Sequence, residues 1–336
     1  MQVDMHYYGV YALARSSGLK SEIAKRIAEA SQFVDDYTEE KHIETKDGGL
    51  ISYWPSGHGM VCDANFDPMD KDTADPHKVW VPFHFLPGGE GDAYEDRMRC
   101  RKDGSLAQAA LKRVLDKKDE QFAPELVGII AHVYADTFSH YGFSGLRNDG
   151  NLVDAKTIEL DVKNDDIKKY LLDKAAGFFN TLVGKTAGDF TRGLGHSSVA
   201  DFPDRPFLRW EFKYEDGTPS PKRDNQATYL EACEKLFNFF SDFKLKVPQY
   251  AEDDKQYSFD NIRSTIQNIL AYEGKKEERS NQWQEAASKG SFLFKDAIPA
   301  YSDAINNEIS DAANGTVDNV KNSRIWFLSW SGKIGQ

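Results

Sequence analysis

Cysteine is scarce in this chain: Cys62, Cys100 and Cys233 are the only three in 336 residues, and no two form a Cys-x-x-Cys pair. An odd, scattered count excludes a disulfide framework and a thiolate metal site, and it suits a reducing compartment. Long apolar runs are missing as well, since none approaches the roughly 18 residues of a membrane span. Basic charge is in deficit, with 42 Lys and Arg against 54 Asp and Glu and a formal net charge of −12. That balance argues against non-specific binding to nucleic-acid phosphates or anionic lipid, which relies on clustered cations. No stable nucleic-acid complex is expected. The first thirty residues lack the basic-then-apolar order of a secretory signal, because Asp4 and His6 interrupt them. The expectation is a cytoplasmic protein, with export by a signal-less route left open.

What is present is mostly helical patterning. Ser21 is a candidate cap for a helix carrying Ile23, Ile27, Ala30 and Val34 at helical spacing, which runs out at "VDDYTEE". Residues 40–60 carry the loop or hairpin signals "KDGG" and "PSGHG". In "HKVWVPFHFLPGG", Pro82 and Pro87 forbid a regular helix. Residues 105–118, 123–141, 165–190, 258–272 and 296–313 read as helices. Leu230, Cys233, Leu236, Phe237, Phe240 and Phe243 mark another, and 192–206 reads as loop. The fold class expected is all-α with long irregular insertions. A metal-binding catalytic domain over 1–224 and a helical C-terminal extension over 225–336, packed on it or continuous with it, is the economical division.

One stretch stands out, "HVYADTFSHYG" at 132–142. Four residues advance a helix by about 400°, so His132, Asp136 and His140 share one face. Leu126, Ile129 and Val133 flank that face, and polar groups are costly among such neighbours unless each finds a partner. Either the three bond to one another, as a buried polar cluster, or they hold a cation.

Other residues favour the cation. Asp4 and His6, two apart, point the same way if the terminus is extended; the bland alternative is a frayed end. "ASQFVDDYT" closes an apolar helix with Asp35 and Asp36, where the macrodipole is already negative. His84 lies between Phe and Pro residues, and His196 sits in a Gly-flanked loop with Asp201 and Asp204 near by. His58 is a loop histidine; His42 and His77 read as surface residues or supports. Several His and Asp with no thiolate suit zinc, with Mn or Fe as alternatives. Asp136, midway between two histidines, is placed to bridge two ions. Such clusters hydrolyse phosphate esters by activating water and stabilising charged oxygens.

These motifs resemble an all-helical superfamily, the zinc-dependent phospholipases C and P1-type nucleases, whose members carry His-x-x-x-Asp on a helix and a further His downstream. "HVYADTFSH" is most similar to the phospholipase D-like members specific for glycosylphosphatidylinositol. An uncharacterised bacterial family with a hydrophobic-Asp-x-His start, "ASQ-x-VDD" and "PFHFLPG" is also similar. The resemblance spans roughly residues 1–205 and implies a phospholipase C-like helical fold with two or three zinc ions. By it, Asp35 or Asp36, His84, His132 and Asp136 hold one ion, and His140, His196 and Asp201 or Asp204 a second. His6 and Asp4 hold a third, which shares Asp136. Asp35 or Asp36 would orient the attacking water as base. The implied activity is hydrolysis of a phosphodiester such as a phospholipid head group. A P1-like nuclease and a non-catalytic, metal-stabilised binding protein are the alternatives. The chain departs from the pattern in two places: it begins Met-Gln-Val where secreted members present a processed Trp, and position 200 is Ala where they carry Glu. The aromatics of "RIWFLSWSG" (324–332) suit either a lipid surface or packing on the core.

Overall fold

The computed structural model describes residues 1–37, 41–44, 50–53, 55–57, 77–184 and 193–302. Among these the chain is predominantly helical. The helices are α1 (Val10–Ser16), α2 (Ser21–Asp36), α3 (Tyr94–Met98), α4 (Ser105–Leu115), α5 (Ala123–His140), α6 (Asp165–Gly184), α7 (Asn225–Lys246), α8 (Asp260–Leu270) and α9 (Lys276–Ser288). None is long and apolar enough to cross a membrane.

α5 organises the rest. Of its residues only Ile129 is not buried, and a helix buried on all sides must be enclosed by other elements. α2, α4 and α7 enclose it. Pro124 sits in its first turn, where a missing N–H costs nothing. α2 crosses α5 at Gly128, where a Cβ would stand 2.2 Å from the carbonyl oxygen of Ile27. No larger residue permits that approach. The crossing is tied by Arg26, whose Nε and Nη2 donate to the buried Glu125 carboxylate at 2.8 and 2.7 Å. Asp35 and Asp136 lie equally far beyond the crossing on their two helices, so close packing at Gly128 brings the two carboxylates to one place.

The main core takes Tyr11, Ile27, Val127 and Phe138 together with Leu236, Phe240, Ile262 and Trp283, side chains from both sides of residue 224. Two of the described segments are π-helical. Asp4–Gly9 is a wider, π-helical start that runs on into α1, and Trp80–His84 is a separate π-helical turn. Such turns are rare and gather at functional sites.

The chain is predominantly helical, as expected, but it is not purely so. β3 (Val153–Asp161), β4 (Arg209–Tyr214) and β5 (Arg223–Asp224) form an antiparallel sheet in the order β3-β4-β5. β1 (Lys41–Glu44) and β2 (Leu50–Tyr53) pair as a hairpin. In β4, buried Trp210 and Phe212 alternate with the more exposed Arg209, Glu211 and Lys213. They pack with Phe143, Val153 and Phe202 in a second, smaller core. A period of two with one buried face is a strand.

Smaller differences have local reasons. Ser21 does not cap α2 but is its first residue, and its Oγ lies 2.9 Å from the Tyr11 hydroxyl. α9 was not expected: few of its residues are apolar, and it is anchored by buried Arg279 and Trp283. Residues 296–302 are not helical. The remainder of 296–313, the 324–332 aromatics, Cys62 and His58 lie outside the described residues.

Candidate metal centre

The C-terminal half of α5 carries the site, and four other segments converge on it. Asp136 is almost fully buried and splits its carboxylate between two groups of neighbours. Oδ1 faces His6 Nε2 at 3.2 Å and the α-amino nitrogen of Met1 at 2.5 Å. Oδ2 faces His84 Nδ1 and His132 Nε2, both at 3.3 Å, and His140 Nδ1 at 3.7 Å. Asp35 approaches the same imidazoles from the end of α2. Its carboxylate lies 3.8 Å from His132, 3.9 Å from His84 and 4.0 Å from His6. One turn further along α5, His140 Nε2 lies 3.0 Å from Asp204, which also lies 3.5 Å from His196 Nε2 and 3.1 Å from the Met1 amino nitrogen. Three ligand sets therefore adjoin: His6–Asp35–His132, His84–His132–Asp136 and His140–His196–Asp204, each with donor atoms close enough to share one ion.

The orientation of the rings is informative. His84 Nε2 donates to the Ser56 carbonyl at 2.8 Å, His140 Nδ1 to the His84 carbonyl at 2.6 Å and His196 Nδ1 to the Ala200 carbonyl at 2.6 Å. Each backbone oxygen takes the proton of one ring nitrogen and leaves the other free to accept or to bind, as metal-ligating histidines do. The backbone is shaped for this. Gly57 lets residues 55–57 lie against the end of α2, where a Cβ would stand 2.2 Å from the Asp35 carbonyl oxygen. Ala200 adopts φ +48°, an uncommon conformation for a residue with a Cβ, as it presents its carbonyl to His196. Phe85 stacks on His140 with ring centroids 4.6 Å apart.

Not every polar atom is satisfied. His6 and His132 stack, with centroids 3.8 Å apart, and both are fully buried. Among the described residues, both nitrogens of His6 and Nδ1 of His132 lack a hydrogen-bond partner. Buried orphans of this kind are costly. Burial, helped by nearby His132 and the Met1 ammonium, pushes His6 down to about 4. Burial does the same to His196, also to about 4, against the pull of Asp204. Both are therefore neutral imidazoles at pH 7. Burial works against the charge of Asp136 and Asp204, yet the Met1 ammonium and the imidazoles hold both well below the usual carboxylate range. Burial opposes charge on the Met1 amine too, but Asp136, Asp204 and Asp35 outweigh it and push it up to about 11. His84 is raised: burial lowers it, while Asp136 and Asp35 more than compensate. Three carboxylates with depressed pKa values thus face one ammonium. The site carries excess negative charge and nitrogen lone pairs, and it could hold metal ions.

Of the residues expected from sequence, His6, Asp35, His84, His132, Asp136, His140 and His196 come together. Asp4 and Asp36 do not join them. The terminus is helical rather than extended, so Asp4 and His6 leave roughly opposite faces, and Asp4 is paired with Arg279. Asp36 accepts from Gln32 at 3.0 Å and from the Tyr301 hydroxyl; burial raises its pKa. Between the two open candidates near His196, the structure selects Asp204. Asp201 is bound by Arg205 at 2.7 Å and Lys174 at 2.8 Å. The i,i+4 spacing of Asp201 and Arg205 was a readable sign of that pairing. The Met1 amine has no side-chain signal that could have announced it. His77 is exposed, and His42 lies in β1. Cys100 and Cys233 are buried free thiols outside the cluster, and burial raises their pKa values.

Fold and site together define a predominantly helical protein with a buried His/Asp centre able to hold metal. The chain belongs to DUF6765, a family of unknown function whose profile matches residues 1–329. No curated protein and no solved structure matches it.

Proposed function

We propose that this centre binds two or three zinc ions and that the protein is a metal-dependent phosphodiesterase with a zinc-dependent phospholipase C-like helical fold. One observation carries the reading: His84, His140 and His196 each tie one ring nitrogen to a backbone carbonyl and aim the other at Asp136 or Asp204. A merely hydrogen-bonded cluster has no need of three preset tautomers around carboxylates. The Nε2 atoms of His6 and His132 face the same carboxylates and extend that donor set. Imidazole and carboxylate without thiolate suit zinc, with Mn or Fe as alternatives.

His6, Asp35 and His132 would hold one ion, His84 with His132 and Asp136 another, and His140, His196 and Asp204 a further one. The first two sets share His132, and Asp136 faces a histidine of each of the three, so occupancy of one constrains the next. Zinc in such a site supplies Lewis-acid polarisation of a phosphoryl oxygen and a lowered pKa for water. The protein's own part is to keep these donors neutral or anionic, fixed and nearly dry. The Asp35 side chain, 24 % exposed, and that of His196, 18 % exposed, are the more open members. A substrate would arrive at these more open members, and Asp35 would take a proton from an attacking water.

The test is hydrolysis of a chromogenic phosphodiester by the zinc-loaded protein, beside a phosphomonoester, phospholipid vesicles and single-stranded nucleic acid. The diester should be cleaved faster than the monoester, and chelation should abolish turnover. A zinc-loaded protein that cleaves none of the panel contradicts the enzymatic reading and favours a metal-stabilised binding protein. Preference within the panel separates a phospholipase from a P1-like nuclease.

A further inference from the structure

His6 differs from its neighbours in how it is held. No carbonyl fixes its ring, since neither nitrogen has a hydrogen-bond partner among the described residues. Its place in the cluster therefore depends on its 3.2 Å approach to the Asp136 carboxylate, on its stack with His132 and on the backbone that delivers it. That backbone is gripped from α9. Arg279 Nε donates to Asp4 Oδ2 at 2.7 Å, and its Nη2 donates to Asp4 Oδ1 at 3.3 Å and to Gln2 Oε1 at 2.6 Å. Its third nitrogen, Nη1, donates to the Gly274 carbonyl at 2.9 Å. Gln2 also donates to Asp201 at 3.3 Å, and its carbonyl accepts the N–H groups of Met5 and His6, both at 2.9 Å. One buried guanidinium thus holds the residues on either side of Val3; the Gln2 carbonyl bonds the His6 N–H, and Asp4 precedes His6 by two residues in the same helical segment.

In this wide turn residues two apart stand roughly half a turn from each other, so a pull on Asp4 and the entry of His6 into the cluster act from opposite faces. A planar fork that binds a carboxylate through two nitrogens sets direction as well as attraction. We propose that Arg279 is a positioning residue of the metal centre, acting through Asp4 and Gln2 to aim His6 at Asp35 and Asp136. The C-terminal part of the chain thereby becomes part of the site without supplying a ligand. The inference rests on the metal reading of the cluster.

It is tested on the full chain with zinc alone and with cobalt alone. Zinc affinity is measured by competition with a chromophoric chelator, and coordination by the visible absorption of the cobalt form. Arg279→Gln should weaken zinc binding by roughly 10- to 100-fold, the usual cost of losing a group that orients a ligand, and should alter the cobalt spectrum. Arg279→Lys keeps the charge but loses the fork, and should fall between Arg279→Gln and the wild type. Gln2→Ala removes one arm of the grip and should give a smaller loss. Phe239→Leu in α7, buried in the main core, lowers stability without touching the site and should leave affinity and spectrum unchanged. Should Arg279→Gln fail to fold, Arg279→Lys and Gln2→Ala carry the test. Wild-type affinity and spectrum in the Arg279 variants overturn the inference alone, as does an equal loss of affinity in Phe239→Leu. A wild type that binds no metal overturns the centre itself and this inference with it.

Discussion

Two buried polar groups lie two residues apart on the first helical turn, and they are built in opposite ways. Asp4 and Arg279 satisfy one another: the carboxylate receives two guanidinium nitrogens, and the guanidinium spends its other bonds on Gln2 and a backbone carbonyl. His6 and its partners do not. The His6 imidazole is kept neutral, some nitrogens of His6 and His132 are left without partners among the described residues, and Asp35, Asp136 and Asp204 share one ammonium. Asp4, Arg279, His6 and Asp136 are all inaccessible to water, so burial alone does not separate the two groups. The balance of donors and charge does: the first is complete, and the second is short of positive charge.

The comparison is broken most forcefully at Asp136. Asp136→Asn keeps the shape but removes the charge that faces His6, His84, His132 and His140. If the cluster holds metal, more than one ion should be lost per chain and hydrolysis should nearly vanish, as elemental analysis and a diester assay would read. A variant with full metal content would put Asp136 in the class of Asp4.

His84→Ala should come next. It removes a ring that faces both Asp35 and Asp136 and should lower metal content and activity together. Unchanged stoichiometry would show that its carbonyl-bound ring is only packing.

A pH titration of the metal-free protein sharpens the contrast further. His6 and His196 are held at about 4 against 6.5 for a free imidazole. Between those values the unfolded chain binds protons that the folded chain refuses, so stability rises with pH. It is lost as pH falls from about 6.5 toward 4, by an amount on the order of 1–3 kcal/mol per imidazole. His84, raised by its carboxylates, contributes in the opposite sense. With two imidazoles against one, melting temperature should fall on acidification, and saturating metal, which displaces the proton of His84, should steepen that fall. A metal-free melting curve indifferent to pH over this range contradicts the assignment.

The smallest effect is expected at Asp36. Bound to Gln32 and Tyr301, it faces away from the cluster, and Asp36→Asn should change metal content little. A large loss of metal in that variant would move it into the site in place of Asp35.

Much of this centre was legible in the sequence because its central part is local. His132, Asp136 and His140 share a helix face by spacing alone, and His84 was marked by rigid, apolar neighbours. What was not legible depends on long-range contacts. Whether Asp35 or Asp36 points inward is decided by the crossing at Gly128. Asp4 read as a ligand because the terminus was expected to be extended, and its partner Arg279 lies hundreds of residues away. The small sheet escaped notice although Trp210 and Phe212 alternate with polar neighbours, since β4 is short and its buried face exists only against Phe143 and Phe202.

The most direct test of the central claim is thermal melting of the full chain after exhaustive chelation and again after zinc is restored, with the bound zinc counted. Ligands that bind only the folded state stabilise it by about 4 kcal/mol at a thousand times their dissociation constant. The account predicts a clear fall in melting temperature on chelation, full recovery with zinc and at least two ions per chain. Identical melting in both states with no zinc retained would mean that the cluster is a buried polar network, and the proposed function would fall with it.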